Sequence, residues 1–301
     1  MKRIVFALIF VCIATTLFAD LAEDIKQFGT VNGEKYLQPF VTAFGSDLNS
    51  GWFNTAKTRP FNIGVTINSM LAVVPDDDKT FIASNPNDSL YNFPNGVVTA
   101  TALGNNGGIF TSKYPDQGIP DLQLPRGLNL KAIPLIVPQA HLGLPAGFEV
   151  AIRGIPPMEF SKYGKISFWG VGAKYQVSKL IPMLTTLLPI SIQATYQQVD
   201  VAEILTVKSM FVNLQASRGL VVLPLTIYGG IGYEDTQLDA KYTYTEPWPD
   251  GQTQSIDFNI KGDNKFRFTF GARLKILLLD VMLDYSVGKY QTIRAGVGVS
   301  I

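Results

Sequence analysis

The sequence holds few of the side chains on which enzyme chemistry rests. His141 is the only histidine and Cys12 the only cysteine in 301 residues. A histidine base needs a nucleophile or a second acid within hydrogen-bond reach. His141 instead stands in a short apolar stretch, 138–146, beside Leu142 and Leu144, and reads as an interfacial histidine in a turn. One histidine and one cysteine fall short of the tetrahedral ligand set of a zinc site. Asp76-Asp77-Asp78 gathers oxygen ligands but lacks the alternate spacing and glycine of a calcium loop, so it reads as a solvated acidic loop. The glycines of 104–108 and 229–232 lack the lysine and hydroxyl residue that complete a phosphate loop. No catalytic residue, cofactor or metal is expected, and the chain is not read as an enzyme.

What remains is a set of charges at alternate positions. Asp257, Lys265, Arg267, Arg273 and Lys275 are odd-numbered residues of one long alternating stretch. Asp284 and Arg294 hold the polar phase of the last two alternating segments, and Glu149 and Arg153 that of an earlier one. Charges on one face of a strand, opposite an apolar face, point into the lumen of a barrel sitting in lipid. There they form either a ladder of ion pairs bracing the wall, the plainer reading, or a selectivity device.

The alternation itself is strongest over 254–276. Nine of its twelve even residues are apolar, and none of its odd residues is, Gly271 aside. A period of two is the mark of a strand with unlike faces. Soluble strands usually run about 5–6 residues, whereas a strand crossing lipid needs about 9–11. The same pattern recurs in 61–68, 190–197, 209–216, 281–288 and 292–301, with Gly, Ser, Gln, Asn and Arg on the polar face.

Export is written at the start. Met1-Lys2-Arg3 precedes an apolar run from Ile4 to Phe18, and a cut after Ala19 would begin the mature chain at Asp20. This reads as a signal peptide over 1–19, with an N-terminal anchor as the alternative. Cleavage removes Cys12 with it, leaving no disulfide. Of 25 Lys+Arg and 24 Asp+Glu, Lys2 and Arg3 leave with the leader, so the mature chain is net −1 and has no basic excess for nucleic acid. Hydrophobic residues make up 47% and charged ones 16%, yet no later apolar run is long enough for a membrane helix. Such a chain hides its apolar surface in a soluble β-protein or shows it to lipid as a barrel. The signal peptide and the charged interior face favour the barrel.

The expected fold is therefore all-β, a transmembrane antiparallel up-and-down barrel of 10–14 strands in a bacterial outer membrane. Its minimum set is 61–74, 128–137, 147–155, 166–177, 189–198, 207–216, 223–245, 254–276, 281–288 and 292–301. Short apolar turns then fall on the side of the C-terminus and longer polar loops on the other, the arrangement of periplasmic turns and outer loops. A shift of apolar phase near 234–237 reads as a bulge in 223–245. The domains are a leader, 1–19; a periplasmic or plug segment, 20–60; and a barrel, 61–301, with a long outer loop at 75–127 in which 96–103 has strand-like composition. Leu21, Ile25 and Phe28 sit at helical spacing. A helix packed at the rim is the plainer reading of this segment, and a plug the other.

Three groups of residues carry a resemblance. Tyr36-Leu37-Gln38-Pro39-Phe40, then Asn49-Ser50-Gly51-Trp52-Phe53-Asn54-Thr55-Ala56, then Asp284-Tyr285-Ser286-Val287-Gly288 with Ala295-Gly296-Val297-Gly298, resemble an uncharacterised family of bacterial outer-membrane barrel proteins. More distantly the chain is similar to the long-chain fatty-acid transporters, whose chains open with a plug. That likeness implies about fourteen strands, a hydrophobic ligand path and a plug at Trp52, Phe53 and Asn54. The function to be tested is a passive channel or transporter for hydrophobic or small solutes. The alternative is a closed structural or surface-interaction barrel. Membrane lipid, the outer-membrane insertion machinery and a hydrophobic small molecule are the partners implied; the oligomeric state is open.

Overall fold

The computed structural model describes residues 30–160, 164–181, 188–201, 205–220, 223–245 and 253–301. The leader and the helical spacing of Leu21, Ile25 and Phe28 lie outside the described residues. One α-helix, α1 (Thr30–Leu48), precedes the wall strand β1 (Ile63–Val73). Four short strands follow in the long loop: β2 (Thr80–Ala83), β3 (Val97–Ala100), β4 (Ile109–Phe110) and β5 (Leu122–Gln123). The wall resumes with β6 (Ala132–Gly143), β7 (Phe148–Phe160), β8 (Gly164–Tyr175), β9 (Ile190–Val201) and β10 (Leu205–Gly219). It ends with β11 (Leu225–Thr245), β12 (Thr253–Lys261), β13 (Phe266–Ile276), β14 (Leu279–Val287) and β15 (Thr292–Ser300).

Eleven strands form one antiparallel sheet, closed where β10 pairs with β11. β12 pairs with the later half of β11 and β13 with the earlier half, so the two share one place in the wall and the barrel has ten. Closure pairs every wall strand on both sides over at least part of its length, and β12 with β11 alone. An even count returns both ends of the wall to one rim, where the Ile63 amide donates to Ile301 O at 3.0 Å. This is called the near rim below, and the opposite one the far rim.

Two boundaries differ from expectation. β6 continues to Gly143, so His141 lies in a strand and not in a turn; pairing with β1 extends through Ile63↔Leu142. The strand-like 96–103 does pair, as Val97–Ala100 with Thr80–Ala83, but in a hairpin of the long loop and not in the wall.

Both faces of the wall change polarity partway up. On β9, Ser191, Gln193, Thr195 and Gln197 face inward, followed by Val199 and Val201 on the same buried side. Outward, Ile192, Ala194 and Tyr196 give way to Gln198 and Asp200. β10 repeats this: inward Ser217, Gln215, Asn213 and Ser209 lead to Val207 and Leu205, while outward Leu214 and Met210 lead to Lys208 and Thr206. On β8, Phe168 faces in above Gly170, Gly172 and Lys174. The cause is a change of surroundings along a strand that never changes phase. In the lower storey the outward face is apolar and the inward face polar, the pattern of a wall that suits hydrocarbon; in the upper storey the outward face is polar and the inside holds an ordinary apolar core. Aromatic rings mark the boundary, as at membrane interfaces. Trp169 and Tyr196 lie 5.6 Å apart, and Tyr233 and Phe266 5.7 Å. Phe148 and Tyr175, 4.7 Å apart, stand toward the near rim. β13, whose outward face exposes Phe266, Phe268 and Phe270, has 11 residues, the length a spanning strand needs.

The phase shift inside 223–245 is this change of surroundings and not a bulge. The bulge is in the partner. Gln237 pairs with Lys261 but Tyr233 with Phe266, so three residues of β11 oppose four, Gly262 to Lys265. The extra residue swaps the faces of the even positions: Phe266 points outward, whereas Ile260 is buried inside. Two expected lumen residues are corrected accordingly. Asp257 lies outside, beside Lys241 at 3.3 Å, both exposed. Lys265 sits on the bulge and pairs with Asp235 on the outer surface.

Candidate functional site

The lumen is filled by the chain's own N-terminal segment. Tyr36, Leu37, Phe40, Val41, Phe44 and Leu48 recur at helical spacing and form the centre of the upper core. Around them stand Val137, Phe168, Val199, Val207, Leu238 and Ile260 of the wall. Pro39 lies inside the helix. Gly45 lets the helix touch β11, since a Cβ there would meet Thr236 Oγ1 at 2.4 Å. The start of α1 is at the far rim, where Asn32 Nδ2 donates to Ser84 O at 2.9 Å. The chain then descends to the near rim, where the Thr58 amide donates to Gln176 Oε1 at 2.8 Å. The described part of 20–60 lies inside the barrel. Its apolar stripe is buried by entering the barrel.

Below α1 the polar storey clasps the backbone of the descending segment. Arg153 donates from Nη1 to Leu48 O at 3.0 Å and from Nη2 to Ser50 O at 2.7 Å, and its guanidinium lies 4.0 Å over the Trp52 ring. Arg267 donates from Nη2 to Ser46 O at 2.6 Å and pairs with Glu234 at 2.8 Å. Gln197 Nε2 donates to Leu48 O at 2.6 Å and Lys174 Nζ to Thr55 O at 3.1 Å. Trp52 packs on the side-chain-free surface of Gly170 and Gly172, where a Cβ would come within 3.4 and 3.0 Å of its ring. Phe53 meets Tyr228 edge-on at 5.7 Å, and Asn54 Nδ2 lies 3.0 Å from Met282 Sδ.

The remaining expected lumen charges are all inside; most are ion-paired, while Arg153 and Lys275 are hydrogen-bonded to neutral groups. Glu149 meets Lys174 at 2.7 Å, Arg273 meets Asp280 at 2.7 Å, and Arg294 meets Asp284 at 2.9 Å. Asp284 also accepts from Tyr228 Oη at 2.8 Å, and Lys275 donates to Ser300 Oγ at 2.6 Å. Three partners went unnamed in the sequence: Lys174, Glu234 and Asp280. Lys174 lies in an expected strand, but Glu234 falls at the expected bulge and Asp280 between two expected strands, and the register that pairs them was not readable. These pairs link neighbouring wall strands, and Arg153 and Arg267 also reach the plug backbone.

Asp47 is a further missed residue, buried on α1 at the join of the two storeys. Burial, the main cause, holds its carboxyl well above the usual range; the Ala72 amide and Arg267 oppose the rise and Glu234 adds to it. A carboxyl raised in the folded state favours folding below its unfolded value and disfavours it as pH rises through the folded value. Asp47→Asn is therefore expected to stabilise the barrel increasingly as pH rises from about 4, the unfolded carboxyl value, toward neutrality. Urea midpoints at several pH values measure this; a constant difference between the two proteins would refute it.

The wall has one weak seam. β6 and β7 pair only from Gln139↔Arg153 to Gly143↔Glu149, whereas β1 pairs with β6 along its whole length. Gly143 N donates to Asn62 O on one side and Leu144 N to Phe148 O on the other. Alternate residues of an antiparallel strand bond to opposite neighbours, so the even residues of both strands face the seam. Those positions include Pro134, Pro138 and Pro156, each without an N–H. Prolines belong at sheet edges, and here they create one within a closed wall. The pairing of β7 with β8 also slips between Ile155 and Met158, beside Pro156 and Pro157. The seam starts level with Trp169, which pairs with Gly154, at the outer edge of the apolar band. Behind it stand Leu135, Ile155 and Ile166, aliphatic residues packed on the core yet only partly buried.

Comparison with solved structures returns membrane barrels at low similarity. Ail, the attachment invasion locus protein of Yersinia pestis, is 10% identical with a TM-score of 0.26, covering 81% of this chain and 100% of that one. The translocator domain of the autotransporter NalP from Neisseria meningitidis is 10% identical with a TM-score of 0.29, covering 88% and 94%. The β-domain of the Bordetella autotransporter BrkA is 9% identical with a TM-score of 0.31, covering 79% and 99%. No curated protein matches the sequence. The ten-place wall also departs from the fourteen strands implied by the likeness to fatty-acid transporters. Residues 1–301 match a family described only as a family of unknown function (DUF6588), and the chain belongs to it.

Proposed function

We propose that this protein is a bacterial outer-membrane barrel that does not conduct along its axis and takes up apolar molecules sideways, through the β6–β7 seam. In this reading the near rim is periplasmic and the far rim extracellular. The seam carries the proposal. It is a length of wall without backbone pairing, at the level of the outer leaflet, backed by Leu135, Ile155 and Ile166. Axial passage is opposed by the plug, which is packed as a core above and hydrogen-bonded to buried guanidinium groups below. An apolar molecule in the outer leaflet meets proline and aliphatic side chains there, with few backbone donors to desolvate.

Cross-linking tests this reading. Once the leader is cleaved the chain has no cysteine, so Lys131→Cys with Glu159→Cys provides two unique exposed thiols on either side of the seam and leaves its prolines in place. Bridging them with a bismaleimide is expected to abolish accumulation of a fluorescent long-chain acid by expressing cells. The unbridged variant should match the parent, and neither should show conductance steps in a planar bilayer. Undiminished uptake after bridging would sink the lateral route.

One observation favours the second reading, a closed surface barrel. The long loop docks onto the plug, with the Ala102 amide donating to Tyr36 O at 2.9 Å and Tyr36 Oη to Arg126 O at 2.8 Å. A loop built only to cover a channel needs no such core. In that reading the bridged and unbridged proteins behave alike.

A further inference from the structure

The near rim holds a cavity of about 770 Å³ between the tail of the plug and the turns that join β10 to β11 and β13 to β14. Five cationic side chains line it: Lys57, Arg59, Arg218, Arg273 and Lys275. Arg273 is paired with Asp280, and Lys275 is spent on Ser300. Lys57, Arg59 and Arg218 are exposed and have no carboxylate partner among the described residues. Like charges crowded into one concavity repel, and a cleft with low-dielectric walls concentrates the field on an incoming anion. The charge is unusual for its place, because Lys174, Arg267 and Arg294 in the lower lumen each meet a carboxylate.

A second feature points to the source of the anion. Leu220, Leu223 and Leu277 line the same cavity, with Leu277 89% exposed. Water is a poor medium for such turns. In a membrane-spanning barrel they lie where the wall leaves the hydrocarbon, beside lipid headgroups. The cavity therefore has a cationic floor and an aliphatic lip at headgroup level. Guanidinium groups accept phosphate oxygens by paired N–H donation, and ammonium groups add a point charge.

We propose that this vestibule binds the phosphate headgroup of an anionic phospholipid from the leaflet at the near rim. The phosphate lies among Lys57, Arg59 and Arg218, and the acyl chains pass over Leu220, Leu223 and Leu277. Because Lys57 and Arg59 belong to the plug and Arg218 to the wall, the headgroup ties one to the other and relieves their repulsion. The inference rests on the barrel's place in a membrane and not on the lateral route.

Native mass spectrometry of the full mature protein tests it, after extraction from vesicles of phosphatidylcholine and phosphatidylglycerol in equal amounts. The parent should retain one phosphatidylglycerol in preference to phosphatidylcholine by about tenfold or more, given the strength of Lys/Arg attraction to anionic lipid. The triple variant Lys57→Ala, Arg59→Ala and Arg218→Ala should lose that preference while its heat-modifiable gel migration is unchanged. All three side chains are exposed, so the barrel does not depend on them. Leu277→Ser should weaken retention of the lipid without weakening binding of free glycerol phosphate. Equal retention of the two lipids by the parent, or unchanged preference in the triple variant, would overturn the proposal. Displacement of the lipid by glycerol phosphate at equal concentration would overturn the headgroup assignment.

Discussion

Arg267→Ala is expected to destabilise the barrel by about 3–5 kcal/mol, the usual loss when one member of a buried ion pair is removed. Arg267 and Glu234 are each 1% exposed, so water cannot replace the missing guanidinium. Glu234 keeps an Asn264 donor but loses its counter-charge. The Ser46 carbonyl on the plug loses a donor in the same step, so the change strikes the wall and the plug together. Heat-modifiable migration across a urea series reads the wall, and planar-bilayer recording reads the plug. The expected result is a lower urea midpoint with intermittent conductance that the parent lacks. Arg267→Met with Glu234→Leu removes both charges and fills similar space, and should recover most of the midpoint, since paired apolar replacements of buried ions are often close to neutral. A single variant as stable as the parent would show that the guanidinium does not anchor the plug.

The parts of this architecture that depend on period alone were legible. The alternation of Ile192, Ala194 and Tyr196 against Ser191, Gln193, Thr195 and Gln197 shows a strand and its two faces, and the folded wall keeps it. The strand ends were harder. Val199 and Val201 look like a break in the pattern, but they are the same strand with its apolar side turned inward. Reading the reversal as a change of medium needs a reason for a core above the membrane. That reason is α1, whose stripe of Tyr36, Leu37, Phe40 and Phe44 reaches beyond the motif Tyr36–Phe40 and shows its purpose only once it is seen inside the wall. Ion pairs were legible to the level of phase and no further. Arg267 and Glu234 are 33 positions apart, and no local rule says that β11 and β13 are neighbours in register. The seam was not legible: Pro138 and Pro156 stand where connections were expected to begin, and the direction of each proline depends on which neighbour each strand residue bonds, which only the register discloses.

Deleting residues from the bulge separates phase from surroundings. Removing Lys265 alone should be tolerated. Three residues of β12–β13 would then oppose three of β11, so Asn264 stays inside beside Glu234, Ile260 stays in the core and Phe266 stays on the outer face. The loss is one partly exposed pair with Asp235, worth about 0–1 kcal/mol. Removing Asn264 and Lys265 together should be far more damaging. Two residues then oppose three, and a regular strand turns Lys261, Asn259 and Asp257 against α1 while Ile260 faces water. Burying unpaired charges costs several kcal/mol each, and exposing the isoleucine forfeits about 2 kcal/mol more. The later half of the β11–β12 hairpin should therefore fail to dock, while β13 and the earlier half of β11, whose faces are unchanged, still close the wall. Limited proteolysis on intact cells reports the first effect, as cleavage between 237 and 261, and heat-modifiable migration reports the second. If the single and double deletions are cleaved equally, the faces are not set by the parity of this bulge, and the change of polarity along β11 needs another cause.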